Sequence, residues 1–362
     1  MALISAARRL LVTGGAGFIG ANFVRYWCNK YPGDRIVVLD ALTYAGNLHN
    51  LAGLEKGNFY FVRGNICDRA LVDEILVTEN IDTIAHFAAE SHVDRSIIEP
   101  SAFIQTNLVG TFTLLEAFRQ YLTAKKPNKA LFLHVSTDEV YGSLNDSEPA
   151  FTEATPYDPS SPYSASKAGS DHLVKAYYHT YGLPAIVTNC SNNYGAFQFP
   201  EKLIPLICIN ILLGKTLPIY GDGKNIRDWL YVGDHCQALD AVIHSGKLGE
   251  TYNIGGNNEV KNIDLVNILC QLMDELAPNL PVTPSYKLIT FVKDRPGHDR
   301  RYAINSTKIN NHLGWNPATT FEEGLRLTVK WYLTNSDWWR FLLSEQDQDY
   351  YRQVYNSNEG VN

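Results

Sequence analysis

The chain is poor in cysteine, with six in 362 residues, and these are scattered. No two form a Cys-x-x-Cys pair, and no histidines lie near them at ligand spacing, which argues against a zinc site. We therefore expect free thiols in a reducing compartment and no metal. The sequons at Asn189 and Asn305 are then expected to be chance matches rather than glycosylation sites.

Long hydrophobic runs and excess positive charge are also missing. No segment approaches ~18 uninterrupted apolar residues, so no membrane-spanning helix is predicted. The Arg8-Arg9 pair precedes a predicted core strand rather than an export signal, and we expect a cytoplasmic protein. The net charge of −7 argues against a nucleic-acid partner. An anionic ligand would therefore need a local basic cluster.

The composition that remains is that of a globular protein, and its first informative stretch is rich in glycine. Arg9–Thr13 predicts a β-strand, and Gly14, Gly17 and Gly20 then open a helix that runs to about Cys28. Gly15, Gly17 and Gly20 also satisfy the glycine spacing of a dinucleotide-binding turn. Such glycines permit a tight turn and let the backbone N–H groups at the helix start approach a pyrophosphate.

An acid follows the next predicted strand. Residues 35–39 predict a second strand, with an apolar run from Ile36 to Leu39, and Asp40 ends it, 20 residues beyond Gly20. A carboxylate there can accept hydrogen bonds from a ribose diol and would repel a 2′-phosphate. The order of strand, glycine turn, helix, strand and acid predicts a site for NAD rather than NADP. A glycine turn with a solvated aspartate is the simpler alternative.

A second group of polar residues follows the apolar run 131–135, which predicts a buried central strand. Ser136, Thr137, Asp138 and Glu139 come directly after it. They place two hydroxyls and two carboxylates at the carboxyl end of a strand, where open α/β sheets bind their ligands. We therefore expect chemistry at this edge.

Tyr163 and Lys167 are four residues apart, about one helical turn, so the phenol and the ammonium share a face. An ammonium nearby favours the phenolate, and the pair is expected to supply a tyrosine base near neutral pH. The alternative is a helix start in which Tyr163 only packs and Lys167 is solvated. Tyr-x-x-x-Lys alone is a short pattern with many chance matches.

Together, residues 14–20, residues 137–142 and the Tyr163–Lys167 pair resemble the extended short-chain dehydrogenase/reductase family. More narrowly, the chain is similar to the branch that dehydrates dTDP-glucose. Five longer stretches carry the narrower resemblance: residues 87–96, 192–195, 199–205, 221–229 and 294–299. The similarity runs from about Arg8 to about Thr334.

The resemblance implies an α/β fold, a Rossmann doubly wound parallel sheet with a smaller C-terminal substrate-binding domain. Residues 1–190 would form the NAD-binding Rossmann domain with the catalytic residues. Residues 191–345 would bind the nucleotide sugar, with the chain crossing back to the sheet, and residues 346–362 would form a peripheral tail. The apolar pattern adds helices near residues 100–121, 203–213, 234–244, 262–276 and 321–333, and strands near 59–62, 81–87, 185–188, 217 and 252.

The same resemblance implies which residues hold the ligands. The cofactor-binding set is Gly14, Gly17, Phe18, Ile19, Gly20, Asp40, Thr43, Asn65, Ile66, Ala88, Ala89, Tyr163 and Lys167. The substrate-binding set is Ser91, Asn192, Glu201, Lys202, Leu203, Arg227, Asn262, Arg295 and His298. The chain departs from the family at Asn65, usually an acid, and beside the expected substrate site at Asn189 and Ala196, usually arginine and proline.

The implied reaction converts dTDP-glucose to dTDP-4-keto-6-deoxyglucose and water. Tyr163 would deprotonate the C4 hydroxyl while NAD takes the C4 hydride; Thr137 would hold that hydroxyl, and Lys167 would hold the ribose and the phenolate. Glu139 would then take the C5 proton, and protonated Asp138 would give one to the leaving C6 hydroxyl, before NADH returns the hydride to C6. One acid and one base in a site is a recurring arrangement.

Three alternatives remain open: a UDP-sugar 4,6-dehydratase, a nucleotide-sugar 4-epimerase and a non-catalytic NAD-binding scaffold. An epimerase needs the tyrosine and lysine but not the acid pair. A scaffold could keep the glycine turn but has no reason to keep Thr137, Asp138, Glu139, Tyr163 and Lys167 together.

The oligomeric state depends on two predicted helices with apolar and aromatic residues on one side: Phe112, Leu115 and Phe118 on the first, and Leu173, Val174, Tyr177, Tyr178 and Tyr181 on the second. Most such stripes are core. The resemblance implies that these two helices form part of a dimer bundle, and we expect a homodimer.

Overall fold

The structure, a computed structural model, describes residues 7–54, 58–127, 129–294 and 297–345. The predicted tail, residues 346–362, lies outside this part. The strands are β1 (Arg9–Thr13), β2 (Arg35–Asp40), β3 (Phe59–Arg63), β4 (Thr83–His86), β5 (Leu131–Thr137), β6 (Ala185–Cys190), β7 (Asn192–Tyr194), β8 (Leu217–Tyr220), β9 (Ile226–Tyr231), β10 (Thr251–Ile254), β11 (Glu259–Lys261) and β12 (Ile289–Val292).

Helices separate most of the strands. They are α1 (Phe18–Lys30), α2 (Arg69–Thr78), α3 (Val93–Ile98), α4 (Ser101–Phe103), α5 (Thr111–Lys125), α6 (Pro162–Tyr181), α7 (Leu203–Leu213), α8 (Val232–Ser245), α9 (Asn262–Leu276), α10 (Thr307–Leu313), α11 (Phe321–Thr334) and α12 (Ser336–Glu345). Among the described residues, none of these is both long and apolar enough to cross a bilayer.

Seven parallel strands form the central sheet, in the order β10-β6-β5-β4-β1-β2-β3. One face packs against α1, α8 and α10, and the other against α2, α5 and α6. Both faces are covered, so the strands read as apolar runs; all seven residues of β5 are buried. The predicted Rossmann fold is confirmed.

The strand order reverses between β1 and β4, which are neighbours although β2 and β3 lie between them in the chain. A crevice opens at such a switch point, outside the carboxyl ends of the strands. The loops after β1, β4 and β5 all begin at this edge. The fold therefore brings the glycine turn and the Thr137–Glu139 segment together.

A smaller lobe follows β6. Its core is built from α7, α9, α11 and α12 around two small sheets, one ordered β11-β9-β7 and one pairing β12 with β8. The chain returns to the central sheet when β10 pairs with β6. The four predicted helices of this region are present. The short strands β7, β9, β11 and β12 were not predicted, because three to six residues carry little periodicity.

The predicted helix near residues 100–121 changes type along its length. It starts as α4, widens into a π-helical stretch at Ile104–Gly110, and continues as α5. Asn107 lies in this stretch, buried, and exchanges two hydrogen bonds with the backbone of Glu90, at 2.9 and 3.0 Å. Its amide also donates to Ser166 Oγ at 2.8 Å. The π stretch thereby ties α6 to the loop after β4.

The apolar stripe on α5 and α6 divides into two groups. Four of its residues are buried in the core beneath the helices: Leu115, Phe118, Val174 and Tyr177. Phe112 and Tyr181 are 47% and 56% exposed. The stripe is therefore partly core and partly an apolar surface.

Candidate active site

A cavity of about 310 Å³ lies at the switch point, and a second one, of about 200 Å³, adjoins it on the side of the smaller lobe. All thirteen predicted cofactor-binding residues and all five predicted catalytic residues line the first cavity. Six residues line both: Ser91, Glu139, Asn192, Asn193, Gln198 and Lys202. The two cavities together make a continuous cleft between the lobes.

The glycine turn has the geometry a dinucleotide needs. Gly14 has a φ of +69°, and a Cβ on it would lie 2.5 Å from the Ala88 nitrogen. A Cβ on Gly20 would collide with the Gly14 carbonyl oxygen. Side chains at these positions would push the turn away from β4 and from α1, which would close the space for a pyrophosphate. The turn therefore fits NAD.

Asp40 is anchored at the rim of the same cavity. Its carboxylate accepts hydrogen bonds from the backbone N–H groups of Ala16, at 2.9 Å, and Leu42, at 2.8 Å. Burial raises the pKa of Asp40, and these two bonds oppose the shift. The carboxylate is thus held in one orientation by the turn whose ligand it would select.

The acid pair begins where β5 ends. The strand runs two residues further than predicted, through Thr137, and a short 3₁₀ turn, Asp138–Tyr141, follows. Thr137 caps this turn: its Oγ1 accepts from the Glu139 N–H and donates to Asp138 Oδ1, both at 3.3 Å. The cap points Asp138 and Glu139 into the cavity.

Asp138 is in an environment that favours its protonated form. It is 1% exposed, and its Oδ2 accepts no hydrogen bond from any described residue. Burial raises its pKa well above the ordinary value, and the carboxylates of Glu139 and Asp228 raise it further. An aspartic acid that keeps its proton near neutral pH can act as a general acid. Glu139 is half-buried and faces both cavities.

Tyr163 and Lys167 lie in the first two turns of α6, which Ser161 and Ser164 cap reciprocally. Burial raises the pKa of the Tyr163 phenol well above its ordinary value, and the Glu139 carboxylate adds to this. Burial also lowers the pKa of Lys167, whose Nζ donates to the Val135 carbonyl at 2.9 Å. The spacing predicted that Lys167 would favour the phenolate by lowering the pKa of Tyr163. The protein's own groups do not lower that pKa.

The predicted substrate-binding residues gather around the second cavity. Glu201, Leu203, Arg227, Asn262 and His298 line it, together with the shared Ser91, Asn192 and Lys202. Arg295 lies outside the described residues. All the predicted substrate residues that are described thus face one space.

Two cations define the walls of this second cavity. The Arg227 guanidinium is 4.3 Å from the centre of the Tyr302 ring and donates to the Asp299 carbonyl at 3.0 Å. Lys202 Nζ donates to the Ser91 carbonyl at 3.3 Å, which joins the smaller lobe to the loop after β4. A planar guanidinium and an ammonium that line the same cavity suit a diphosphate.

Glu201 is less available than predicted. Its buried carboxylate lies 3.2 Å from the Arg95 guanidinium and 3.6 Å from the His92 ring. Both partners belong to the loop and helix after β4, so the pair links the two lobes beside the cavity. This geometry supports a role for Glu201 in positioning the adjacent residues Lys202 and Leu203.

The two departures from the family pattern near the expected substrate site, Asn189 and Ala196, line neither of these two cavities in the described structure. Side chains alternate along a strand, so Cys190 faces the cavity while Asn189 faces away. Asn189 is fully buried and donates to Tyr157 Oη at 3.1 Å. Its identity therefore bears on packing rather than on direct ligand contact.

The cavities also contain residues that the sequence did not single out. They are Tyr44, Glu90, Cys190, Asn193, Gln198, Phe199 and Tyr302. Phe199 lies inside a stretch that carried the resemblance, and Tyr44 lies in the loop after Asp40, so a weak signal existed for both. Tyr302 had none, because only the tertiary fold places it beside Arg227.

Comparison with known proteins matches this site to one enzyme family. The family model described as GDP-mannose 4,6 dehydratase matches residues 11–328. The dTDP-glucose 4,6-dehydratase of Xanthomonas campestris pv. campestris strain B100 is 58% identical over 332 residues, which are 91% of this chain and 94% of that protein.

Two solved structures agree. The dTDP-glucose 4,6-dehydratase of Bacillus anthracis, in complex with NAD, superposes with a TM-score of 0.83 at 48% identity, covering 93% of this chain and all of the other. The enzyme of the same name from Streptomyces venezuelae, with NAD bound, gives 0.84 at 47%, covering 92% and 99%. The chain therefore belongs to the GDP-mannose 4,6 dehydratase family of extended short-chain dehydrogenases/reductases, and within it to the dTDP-glucose 4,6-dehydratases.

Proposed function

We propose that this protein converts dTDP-glucose to dTDP-4-keto-6-deoxyglucose and water with NAD as its cofactor. The observation that carries the proposal is Asp138, a buried carboxyl whose pKa is raised by burial, adjacent to Glu139 in the cavity that also contains Tyr163. Oxidation alone needs only the tyrosine. Removal of water needs an acid for the leaving hydroxyl and a base for the C5 proton, and the site has both.

NAD, when bound, would accept the hydride from C4 and later return it to C6, and it would bring the positive charge of an oxidised nicotinamide. The first cavity would hold it, with the N-terminus of α1 toward the pyrophosphate, Asp40 toward the ribose diol, and Ala88 and Ala89 beside the nicotinamide half. Asn65 lines the adenine end, but its Oδ1 already accepts from the Cys67 N–H at 2.9 Å. We expect a weaker adenine contact there than an acid would make.

In the first step Tyr163 removes the proton of the C4 hydroxyl while Thr137 hydrogen-bonds that hydroxyl. The phenol has a raised pKa in the protein alone, so the phenolate must be favoured by added positive charge. Lys167 is one turn away, fully buried, and donates to the Val135 carbonyl. Its ammonium adds to the positive charge on this side of the cavity and orients the ribose.

In the second step the 4-ketone acidifies the C5 hydrogen. Glu139, at the boundary of the two cavities, takes that proton, and Asp138 gives its own to the departing C6 hydroxyl. The hydride then returns to C6. Arg227, Lys202 and Asn262 hold the diphosphate in the second cavity, so that the sugar projects toward the acid pair.

The substrate is tested by incubating the protein with dTDP-glucose, UDP-glucose and UDP-N-acetylglucosamine and scoring 4-keto product. We expect product from dTDP-glucose. Product from a UDP-sugar alone would assign the base differently, and a 4-epimer without loss of water would identify an epimerase. Absence of any product with all three would refute the dehydratase proposal.

Asp40 should determine cofactor choice. Its carboxylate is fixed by two backbone N–H groups and cannot turn away from a 2′-phosphate, so NADP should bind much more weakly than NAD. Titration of the apo-protein with both cofactors measures this. Asp40→Asn keeps the shape of the side chain and removes its charge. The variant should show a smaller difference between its affinities for NAD and NADP. Equal affinity of the wild-type protein for both cofactors would contradict the assignment.

We also infer a homodimer, supported by the exposed apolar surface of Phe112 and Tyr181 on neighbouring helices α5 and α6. Burying such a surface against a second copy would remove it from water. Sedimentation of the purified protein measures the oligomeric state directly.

A cytoplasmic location is supported by the six cysteines, all of which are free thiols.

A further inference from the structure

The last described helix reaches back to the amino-terminal part of the chain. α12 lies beyond residue 328, where the family match ends. The indole N–H of its Trp338 donates to Asn50 Oδ1 at 2.8 Å, across 288 positions of sequence. Asn50 is 1% exposed and lies in a 3₁₀ turn, Leu48–Leu51. The contact therefore joins α12 to the loop that follows Asp40.

Asn50 also binds the glycine turn, so it connects Trp338 to that turn. Its Nδ2 donates to the Ala16 carbonyl at 2.8 Å, and the Asn47 N–H donates to the same oxygen at 3.1 Å. An amide has one acceptor end and one donor end. Since the indole N–H can only donate, it requires the oxygen of Asn50 on its side. The amide nitrogen is thereby directed to Ala16.

Ala16 lies at the centre of the dinucleotide turn. Its own N–H donates to Asp40, and the next N–H, that of Gly17, donates to the Gly14 carbonyl at 3.2 Å. The Ala16–Gly17 peptide is planar, so holding its oxygen and its N–H fixes it completely. The first N–H groups of α1 have no intrahelical partner, and the residues that carry them line the cavity. Their direction depends on this peptide.

The Trp338 ring is itself held in place. Its centroid lies 4.9 Å from that of Trp331 and 6.1 Å from that of Phe197. Arg25, on α1, covers the Phe197 ring at 4.8 Å and donates to the Asn50 carbonyl at 2.8 Å. The indole therefore has little freedom to leave Asn50 without disturbing an aromatic cluster on three elements.

We propose that Trp338 and Asn50 are positioning residues for NAD: Trp338 orients the Asn50 amide, and Asn50 holds the Ala16 carbonyl so that the glycine turn is set to receive a pyrophosphate. The inference rests on the proposed function in that NAD is the cofactor. Neither side chain lines the cofactor cavity, so both act through the turn. Such pre-organisation increases affinity by reducing the ordering cost of binding.

The test uses Trp338→Phe, which keeps an aromatic ring and removes the N–H. We expect NAD to bind about 3- to 10-fold more weakly, the effect of one hydrogen bond. The dissociation constant of dTDP and the melting temperature should stay near the wild-type values. Asn50→Ala should weaken NAD binding at least as much. The double variant should be no weaker than Asn50→Ala alone, since both act through one bond to Ala16.

Trp339→Phe is the matched control. It removes the neighbouring indole N–H of the same helix, whose partner is the Tyr332 carbonyl at 3.0 Å, and it should leave NAD affinity unchanged. Amide hydrogen exchange over residues 14–20 in NAD-free protein should be faster in Trp338→Phe and not in Trp339→Phe. These two readouts separate a role in the turn from a general role in stability.

Three outcomes would overturn the inference: equal NAD affinity in Trp338→Phe and Trp339→Phe, additive losses in the double variant, or a parallel loss of dTDP affinity and melting temperature. If Trp338→Phe does not fold, wild-type NAD affinity in Asn50→Ala overturns it equally. A wild-type protein that binds no NAD would instead overturn the proposed function.

Discussion

Replacement of Tyr163 by phenylalanine should lower the rate of NAD reduction by dTDP-glucose by about 10²- to 10⁴-fold, the usual cost of one positioned base. The phenol is buried in the first cavity with Thr137 and lies one helical turn from Lys167. A phenylalanine fills the same space. The loss should therefore appear in the chemical step and not in binding of the nucleotide sugar.

Single-turnover absorbance of NADH measures this step. Tyr177→Phe is the matched control, because Tyr177 lies on the same helix and its phenol donates to a carboxylate, Glu116 Oε2, at 3.0 Å outside both cavities. We expect wild-type NAD reduction in that variant. Near wild-type reduction in Tyr163→Phe would show that another group is the base.

Replacement of the two acids should stop the reaction at different points, because only one of them is expected to be protonated. Glu139→Gln removes the C5 base. It should permit oxidation, accumulate bound NADH, and show little exchange of the C5 hydrogen in heavy water. Asp138→Asn removes the acid for the leaving hydroxyl. If elimination is stepwise, this variant should also accumulate NADH but still exchange C5 with solvent.

The raised pKa of Asp138 adds a pH dependence to the same step. The acid form is present below that pKa, so elimination should fall as the pH rises through the raised value rather than through the ordinary range of an aspartic acid. With both acids intact, substrate deuterated at C4 should give product deuterated at C6. NMR of the recovered sugar measures both labels. If Asp138→Asn blocks exchange of the C5 hydrogen and Glu139→Gln permits it, the two residues have each other's role. If both variants turn over like the wild type, the acid pair takes no part in the mechanism.

The parts of the site that lie close together in sequence were predicted well. Gly14, Gly20 and Asp40 are set by local constraints, namely a turn with positive φ, close approach of a helix to a strand, and an acid at the end of the next strand. Asp138 and Glu139 follow β5 directly, so the position of the acid pair at the edge of the sheet is fixed by that strand. These features can be recognised from a few consecutive residues next to a segment with apolar periodicity.

Predictions that depended on surroundings were less successful. The pKa of Tyr163 is raised rather than lowered, because burial removes water from both Tyr163 and Lys167, and spacing along a helix carries no information about burial. Asn189 is next to the cavity-lining Cys190 in sequence, and only strand alternation shows that its side chain faces away from the cavity. The π-helical stretch at Ile104–Gly110 has no signature in apolar periodicity.

The sequence by itself predicted the Rossmann sheet, NAD as the cofactor and the five residues proposed as catalytic, because each rests on short-range spacing that survives any arrangement of the rest of the chain. The tertiary structure decided the raised pKa of Asp138, the packing of Tyr302 against Arg227 beside the second cavity, and the contact of Trp338 with Asn50. These depend on burial and on pairs of side chains separated by up to 288 positions. Desolvation and long-range hydrogen bonds exist only once the two lobes have packed together.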